Sequence, residues 1–237
     1  MPAQISPDGR WWWDGTQWRS RLAEGELGLF WFTTTPDWTS RVLLVGLIGL
    51  IPIVGAINLY GWTLVAVDMI RRGWRELPPA NFSYLERGVA PFVTGLAYGF
   101  VILFALVGMA GSAIALGFSG SSRIPLAIGL GVLEALFLIA LWVLAAFMFG
   151  ALLIGSDRLG IGRALNPLRL FALARANHEV SVRIALSYFV ASIAIFTVEV
   201  FISLVVPFVS LAVNLALPAV FAVLVPSLAR FEVESAP

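Results

Sequence analysis

Five long apolar blocks, almost free of charge, constrain this chain more than any other feature. They span residues 42–70, 91–117, 125–154, 184–206 and 208–229. Each of the last four is long enough for a helix to cross a hydrocarbon core about 30 Å thick at about 1.5 Å per residue. Only 12% of the residues are charged and 59% are hydrophobic. Because a water-soluble globule of this composition would expose large apolar surfaces, the sequence predicts an all-α integral membrane protein.

The first block differs from the others because it carries several residues that interrupt helices: Gly46, Gly49, Pro52, Gly55, Asn58 and Gly61. Pro52 has no N–H to donate to the Ile48 carbonyl, and Gly55 loosens the following turn. The block is therefore either one kinked span or a helix–break–helix hairpin centred on residues 52–55. Each arm of such a hairpin is about 20 Å long, which is short for a full crossing.

Arginine placement distinguishes these arrangements, since the 15 basic residues are all arginine. A single crossing by residues 42–70 would place ten arginines on one side and five on the other. A hairpin that enters and returns leaves Arg123 alone on the outer side. Cytoplasmic loops are enriched in Lys and Arg. The sequence thus predicts a re-entrant or short-helix hairpin followed by four transmembrane helices, with both termini on the cytoplasmic side of the inner membrane.

Residues 1–40 are polar, charged and rich in tryptophan. They lack the basic start and early apolar core of a secretory signal peptide, so we expect the first apolar segment to stay as a signal anchor. Asp14-Gly15 is a favoured two-residue turn, and its neighbours suit strands. The predicted organisation is a cytoplasmic region at 1–40 with a small β-hairpin, a multi-pass domain at 41–230 and a cytoplasmic tail at 231–237.

The Trp-rich segment at residues 6–18 resembles the module catalogued as domain of unknown function 2510, which occurs at the ends of bacterial membrane proteins. The match is carried by Trp12-Trp13-Asp14-Gly15-Thr16-Gln17-Trp18. The aromatic face is interpreted either as a docking surface for a protein or peptide, or as a hairpin on the bilayer interface, where indoles accumulate. The docking residues are Trp11, Trp12, Trp13 and Trp18.

The multi-pass region, residues 40–230, resembles a second group of bacterial and archaeal membrane proteins, catalogued as domain of unknown function 4013. The residues that carry this resemblance are Gly61-Trp62, Arg71-Arg72-Gly73, Leu77-Pro78, Leu85 and Gly88. Family members usually follow Leu-Pro with an acid, a tryptophan and another acid, where this chain has Pro79-Ala80-Asn81-Phe82. The resemblance implies a multi-pass membrane protein without specifying a reaction or substrate.

Two acids lie inside the predicted spans at similar depth in the outer half, and Asn214 lies level with them. These acids are Glu134 and Glu199. Ser192 and Ser203 share a helical face with Glu199. Charged residues at this depth should face the bundle interior. The expected cluster is a proton or cation site, or a neutral hydrogen-bonded network that joins the helices, and we favour the network.

The loop at residues 155–183 contains Asn166-Pro167, which predicts the start of an interfacial helix with Asn166 as its N-cap. Leu168 and Phe171 share its predicted apolar face. One interpretation is that this helix contacts anionic lipid headgroups or a cytoplasmic partner. The other is that it is a solvated connector whose arginines set the topology. The connector is the favoured interpretation.

Residue counts exclude several function classes. The chain has no cysteine, no lysine and a single histidine, His178, which excludes thiolate and His-rich metal sites and Schiff-base chemistry. A formal net charge of +1 gives no field that attracts nucleic acid. We therefore expect no cofactor, no metal and no enzymatic activity. The expected function is a structural, accessory or assembly component of a membrane complex, with the bilayer and another protein as partners. The alternative is a small proton- or cation-coupled transporter or channel that uses Glu134 and Glu199.

Overall fold

The computed structural model describes residues 11–13, 18–20, 28, 30–118, 120, 123–203 and 209–233, with the backbone alone at 11, 12, 18–20, 113, 195, 196, 198–203 and 209–214. Two short strands, β1 (Trp11–Trp13) and β2 (Trp18–Ser20), pair antiparallel, with Trp13 opposite Trp18. The turn predicted at Asp14-Gly15 lies outside the described residues.

Helices dominate the rest of the described chain, which is all-α as predicted. A 3₁₀ turn (Trp31–Thr34) is followed by α1 (Trp38–Gly49), α2 (Val54–Arg71), α3 (Leu85–Phe118), α4 (Ile124–Leu159), α5 (Ile161–Ala164), α6 (Pro167–Ala176), α7 (His178–Ser203) and α8 (Val209–Ala229). Six of them form a closed ring, in which α1, α2, α3, α4, α7 and α8 each pack against the next, and α8 returns to α1. Helix α2 also contacts α8 across the ring.

The block at residues 42–70 is a helix–turn–helix hairpin, not one kinked helix. The turn contains Pro52, and Ile53 has a φ of 66° and a ψ of −60°. The Val54 N–H donates to the Pro52 carbonyl at 2.7 Å, which is the geometry of a γ-turn with positive φ. Gly55 lies in the first turn of α2, where a Cβ would come 2.4 Å from the Ile48 carbonyl oxygen. The missing side chain therefore lets the two helices approach at the turn.

Within the described part of the chain, two helices are long and apolar enough to cross a membrane, α3 with 34 residues and α4 with 36. This is fewer than the four spans that the sequence predicts. Helix α7 covers most of the fourth block, but that block runs beyond Ser203 into residues outside the description. Helix α8 has 21 residues and is about 31 Å long, and the side chains of its first six residues lie outside the description. The other two predicted spans are thus helical, and their crossing of a membrane stays a prediction.

Helices α3 and α4 carry a large apolar surface that the protein does not cover. None of the residues in the most apolar 18-residue window of α3 is buried. Phe104 and Val107 on α3 are 73% and 62% exposed, and Leu136 and Ile139 on α4 are 60% and 59% exposed. Monomeric soluble proteins rarely expose contiguous apolar patches of this extent, so this surface calls for an apolar environment.

The packed core lies toward the opposite end of these two helices, where their charged residues are. Leu153 and Ile154 of α4, Leu170 of α6 and Leu224 of α8 are each at most 1% exposed there. Phe231, which the sequence places in the tail, is also fully buried in this core. The packed region therefore extends beyond residues 41–230 at its carboxyl end.

The connection between α2 and α3 is folded back onto α2 by buried side chains. The Trp62 indole donates to the Pro78 carbonyl at 3.2 Å, and the Asn58 amide donates to the Asn81 carbonyl at 3.0 Å. Leu77, directly before Pro78, is fully buried. Trp62, Leu77 and Pro78 thus hold this connection against α2.

The 3₁₀ turn at Trp31–Thr34 also packs into the bundle, although the sequence assigns it to the amino-terminal region. The buried Trp31 indole donates to the Ala222 carbonyl at 2.8 Å. Pro226 follows Ala222 by four residues and has no N–H, so it cannot satisfy this carbonyl within α8. Trp31 therefore supplies the hydrogen bond that Pro226 removes, and it ties the start of the bundle to its last helix.

Candidate functional site

Charged side chains from three helices meet at the end of the bundle where the core lies. They are Asp68 and Arg71 of α2, Arg87 of α3, and Asp157 and Arg158 of α4, which we call the ion-pair network. Arg87 follows the start of α3 by two residues, and Asp157 precedes the end of α4 by two residues. The two long helices thus continue past their apolar segments by about one turn, which carries these charges beyond the apolar surface.

Arg87 occupies the centre of the ion-pair network. Its guanidinium contacts the Asp157 carboxylate twice, with Nε at 3.0 Å from Oδ1 and Nη2 at 2.9 Å from Oδ2. Its third nitrogen, Nη1, lies 2.8 Å from Oδ2 of Asp68. Bidentate pairing of this kind uses the planar fork of arginine and fixes geometry as well as charge. Arg87 therefore joins α2, α3 and α4 at one point.

Arg71 connects this network to the carboxyl-terminal segment at residues 229–233. It donates from Nε to the Ala229 carbonyl at 3.0 Å and from Nη2 to the Phe231 carbonyl at 2.7 Å. Burial, followed by repulsion from Arg158, lowers the pKa of the Arg71 guanidinium below its usual value. Positive charge is thus already crowded at this position.

Asn177, between α6 and α7, holds the same segment from the other side. Its amide nitrogen donates to the Glu232 carbonyl at 2.9 Å, and its amide oxygen accepts from the Glu232 N–H at 3.0 Å. Four hydrogen bonds, two from Arg71 and two with Asn177, therefore fix residues 229–233 in place.

A cavity of about 770 Å³ lies between this segment and the ends of α4, α5 and α6. Its cationic lining, which we call the arginine pocket, consists of Arg71, Arg158, Arg163 and Arg169, and Glu232 is the acid beside them. Arg158 also pairs with Asp68 at 3.2 Å. By contrast, the guanidinium groups of Arg163 and Arg169 form no hydrogen bond or ion pair with any residue that the structure describes.

Helix α6 begins as predicted but packs through a different face. The Asn166 side chain accepts from the N–H groups of Leu168 and Arg169 at 3.1 and 3.2 Å, so its role as N-cap is confirmed. The buried residues are Leu170 and Ala174, whereas Leu168 is 79% exposed and Phe171 is 43% exposed. Leu168 therefore points away from the protein, whereas the Phe171 ring lies 6.3 Å from that of Phe147 on α4. The face that enters the core is the one with Leu170 and Ala174.

The predicted intramembrane cluster is only partly described. Glu134 is half-buried on α4 and Ser192 is half-buried on α7, and the residues described around Glu134 form no hydrogen bond or ion pair with it. Glu199 and Ser203 lie in α7 and Asn214 in α8, with their side chains outside the description. The helices themselves do meet, since α4 packs against α7 and α7 against α8. The cluster remains a prediction.

The other predicted residues fall in separate places. Trp13 is half-buried, while the side chains of Trp11, Trp12 and Trp18 lie outside the description, so the docking surface stays a prediction. Pro52 and Gly55 shape the hairpin turn. No group of three or more acids and histidines able to hold a metal occurs among the described residues.

The Asp68–Arg71 pair, whose charged atoms lie 3.8 Å apart, joins residues one helical turn from each other. The sequence did not reveal Arg87, Asp157 or the arginine pocket. The available signal was positional: Arg87 directly precedes one long apolar block, and Asp157-Arg158 directly follows the next. Opposite charges at matching ends of consecutive antiparallel spans are placed to pair once the helices pack.

Comparison with known proteins finds no similarity to any protein-family model, curated protein or solved structure.

Proposed function

We propose that the chain is a multi-pass protein of the inner (cytoplasmic) membrane that serves as a structural, accessory or assembly component of a membrane complex. The uncovered apolar surface of α3 and α4 carries this proposal. A lipid environment removes the free-energy penalty of exposing residues such as Phe104 and Leu136 to water. Hydrophobic spans of this length are typical of transmembrane helices.

The proposed orientation places the ion-pair network on the cytoplasmic side, with both termini there and α3 and α4 joined by a short outer loop. Fourteen of the fifteen arginines then lie on the cytoplasmic side. Helices α7 and α8 complete the proposed four spans, and the α1–α2 hairpin enters and returns. The exposed Leu168 and Phe171 of α6 would rest on the membrane surface.

A structural role is supported by how the charged groups are used. The carboxylates of Asp68 and Asp157 both pair with arginines that join neighbouring helices, which suits cohesion better than proton transfer. The Trp-rich strand pair offers aromatic residues for a partner protein. A small proton- or cation-coupled transporter or channel is the second candidate function, and the packing of α4, α7 and α8 favours it because those helices carry Glu134, Glu199 and Asn214.

Membrane placement is tested by labelling single cysteines in intact cells, since the chain has no native cysteine. We expect Ser121→Cys to react with a membrane-impermeant maleimide from outside. Ser83→Cys and Ala176→Cys, at exposed positions near the charged end, should react only after lysis. Labelling of Ser83→Cys from outside would contradict the hairpin topology, and release of the protein by alkaline carbonate would contradict membrane integration.

The accessory role is tested by purification in a mild detergent without crosslinker. We expect a partner protein to co-purify in fixed stoichiometry and to be lost when residues 1–20 are removed. As a control, a flexible tag is fused to the protein and a non-aromatic segment of equal length is deleted from that tag. Isolation of the chain alone, as an oligomer whose assembly changes with pH and with Glu134→Gln, would favour transport instead.

A further inference from the structure

Among the residues that the structure describes, the arginine pocket carries more positive charge than its neighbours neutralise. Together, the pocket and the ion-pair network contain five arginines and three acids, which leaves two positive charges at one end of the bundle. Arg71 is held between two carbonyls and Arg158 between two aspartates. The excess therefore falls on Arg163 and Arg169, whose guanidinium groups have no partner in the described chain.

Hydrogen bonds within the protein hold one wall of the pocket in place. Residues 229–233 make one wall, and four hydrogen bonds to Arg71 and Asn177 hold their backbone. Arg163 comes from α5 and Arg169 from α6, two helices that pack on α4. Groups fixed before binding lose little conformational freedom on binding, which favours affinity.

The lining of the pocket suits a phosphate group better than a small carboxylate. Guanidinium groups match the oxygens of phosphate with two parallel hydrogen bonds each, and several of them can surround one tetrahedral anion. A cavity of about 770 Å³ has room for a phosphate with substituents, and Ile154, Leu159 and Val233 give it an apolar side. A small carboxylate would leave most of this volume and charge unmatched.

The depth of the pocket matches the level of lipid headgroups in the proposed orientation. Arg158 follows the apolar segment of α4 by one turn, and the exposed Leu168 and Phe171 of α6 lie beside Arg169 along the chain. Basic pockets at this level of a membrane protein suit anionic headgroups. A phosphate at this level can come from a phospholipid or from a soluble phosphate compound.

We infer that the arginine pocket binds a phosphate group, with Arg163 and Arg169 as its free ligands and Arg71 and Arg158 lining the site behind them. The lipid source rests on the proposed membrane location, whereas the phosphate chemistry does not.

The test compares the full chain with two charge-matched variants in detergent. Arg163→Gln with Arg169→Gln removes the two unpaired ligands and should leave the melting temperature without ligand unchanged. Arg72→Gln with Arg175→Gln removes the same charge at exposed positions outside the pocket. Arg163→Lys with Arg169→Lys keeps the charge but removes the planar guanidinium groups, so it should bind with intermediate affinity. This variant replaces the glutamine variant in the comparison if the latter fails to fold.

Two probes separate the sources of the phosphate. Phosphatidylglycerol is titrated against phosphatidylcholine in native mass spectrometry, and inorganic phosphate is titrated by calorimetry. We expect the wild type and the Arg72/Arg175 control to bind one probe at least about tenfold more tightly than the Arg163/Arg169 glutamine variant. This ratio corresponds to a difference of about 1.4 kcal/mol in binding free energy. Loss confined to the lipid probe identifies a headgroup, and loss confined to inorganic phosphate identifies a soluble ligand.

Equal binding of both probes by all variants would overturn the inference, as would binding of neither probe by the wild type. The cysteine labelling above is independent of the pocket. If the labelling shows a membrane-spanning protein and neither probe binds to the pocket, only the phosphate site is refuted. If the protein binds inorganic phosphate but the labelling shows no membrane crossing, only the membrane proposal is refuted.

Discussion

Gly88→Ala is expected to destabilise the protein by about 3 kcal/mol or more, because α2 and α3 cross there with their backbones in contact. A Cβ on Gly88 would lie 1.8 Å from the Ile57 carbonyl oxygen and 3.0 Å from the Gly61 nitrogen. Overpacked cores usually lose about 1–3 kcal/mol when side chains can shift. Here the obstacle is backbone on both sides, so the helices themselves must separate.

Gly99→Ala is the matched control on the same helix, since a Cβ at Gly99 meets nothing within 4 Å. It should be neutral or stabilise by up to about 1 kcal/mol through helix propensity. Thermal unfolding in detergent, followed by circular dichroism, measures both variants. Equal melting temperatures for Gly88→Ala and Gly99→Ala would show that α2 and α3 do not approach as described.

Arg87→Gln is expected to lower the free energy of unfolding by about 2–4 kcal/mol. The substitution removes the closest cationic partner of both Asp68 and Asp157 and leaves them the longer contacts with Arg158, at 3.2 and 3.7 Å. Breaking a buried ion pair typically costs about 3–5 kcal/mol, and we reduce that range because Arg87 is 28% exposed. Arg87→Lys should recover part of the loss, since it restores the charge without the bidentate contact.

Arg72→Gln, one position after Arg71 and exposed, controls for the lost charge. Combining Arg87→Gln with Asp157→Asn should cost less than the two single variants added together, because the second change removes the carboxylate whose bidentate partner the first has already removed. Strict additivity in chemical or thermal unfolding would mean that this pair contributes no coupling energy and that another contact accounts for the loss.

The parts of the fold that sequence predicted are those set by nearby residues. Apolar block lengths predicted the long helices, and Pro52 with its flanking glycines predicted the hairpin break. Asn166 predicted the start of α6 through a hydrogen bond that spans only three residues. Such features depend on local geometry, so they do not require knowledge of which helices pack together.

The parts that were missed depend on contacts between distant segments. Arg87 and Asp157 lie 70 residues apart, so their pairing appears only when α3 packs against α4. The buried face of α6 could not be predicted either, because Leu170 and Leu168 are equally apolar and tertiary packing selects between them. The arginine pocket could not be predicted for the same reason, because distant segments must pack together to form it. Its lining comes from α2, α4, α5, α6 and the end of α8 with the residues that follow it.

Because the ring of helices is closed by contacts between its first and last helices, it can form only after the last helix has been synthesised. Trp31 bonds to a carbonyl 191 residues later, and Gly46 of α1 packs directly on the backbone of Leu215. At about 5–20 residues per second, a ribosome takes on the order of 10–40 s to make the chain between them. The α1–α2 hairpin is synthesised before the other helices of the ring. The surface of α1 that packs against α8 has no partner until α8 has been synthesised. A chain that stops before α8 therefore exposes the surface of α1 that would otherwise pack against α8.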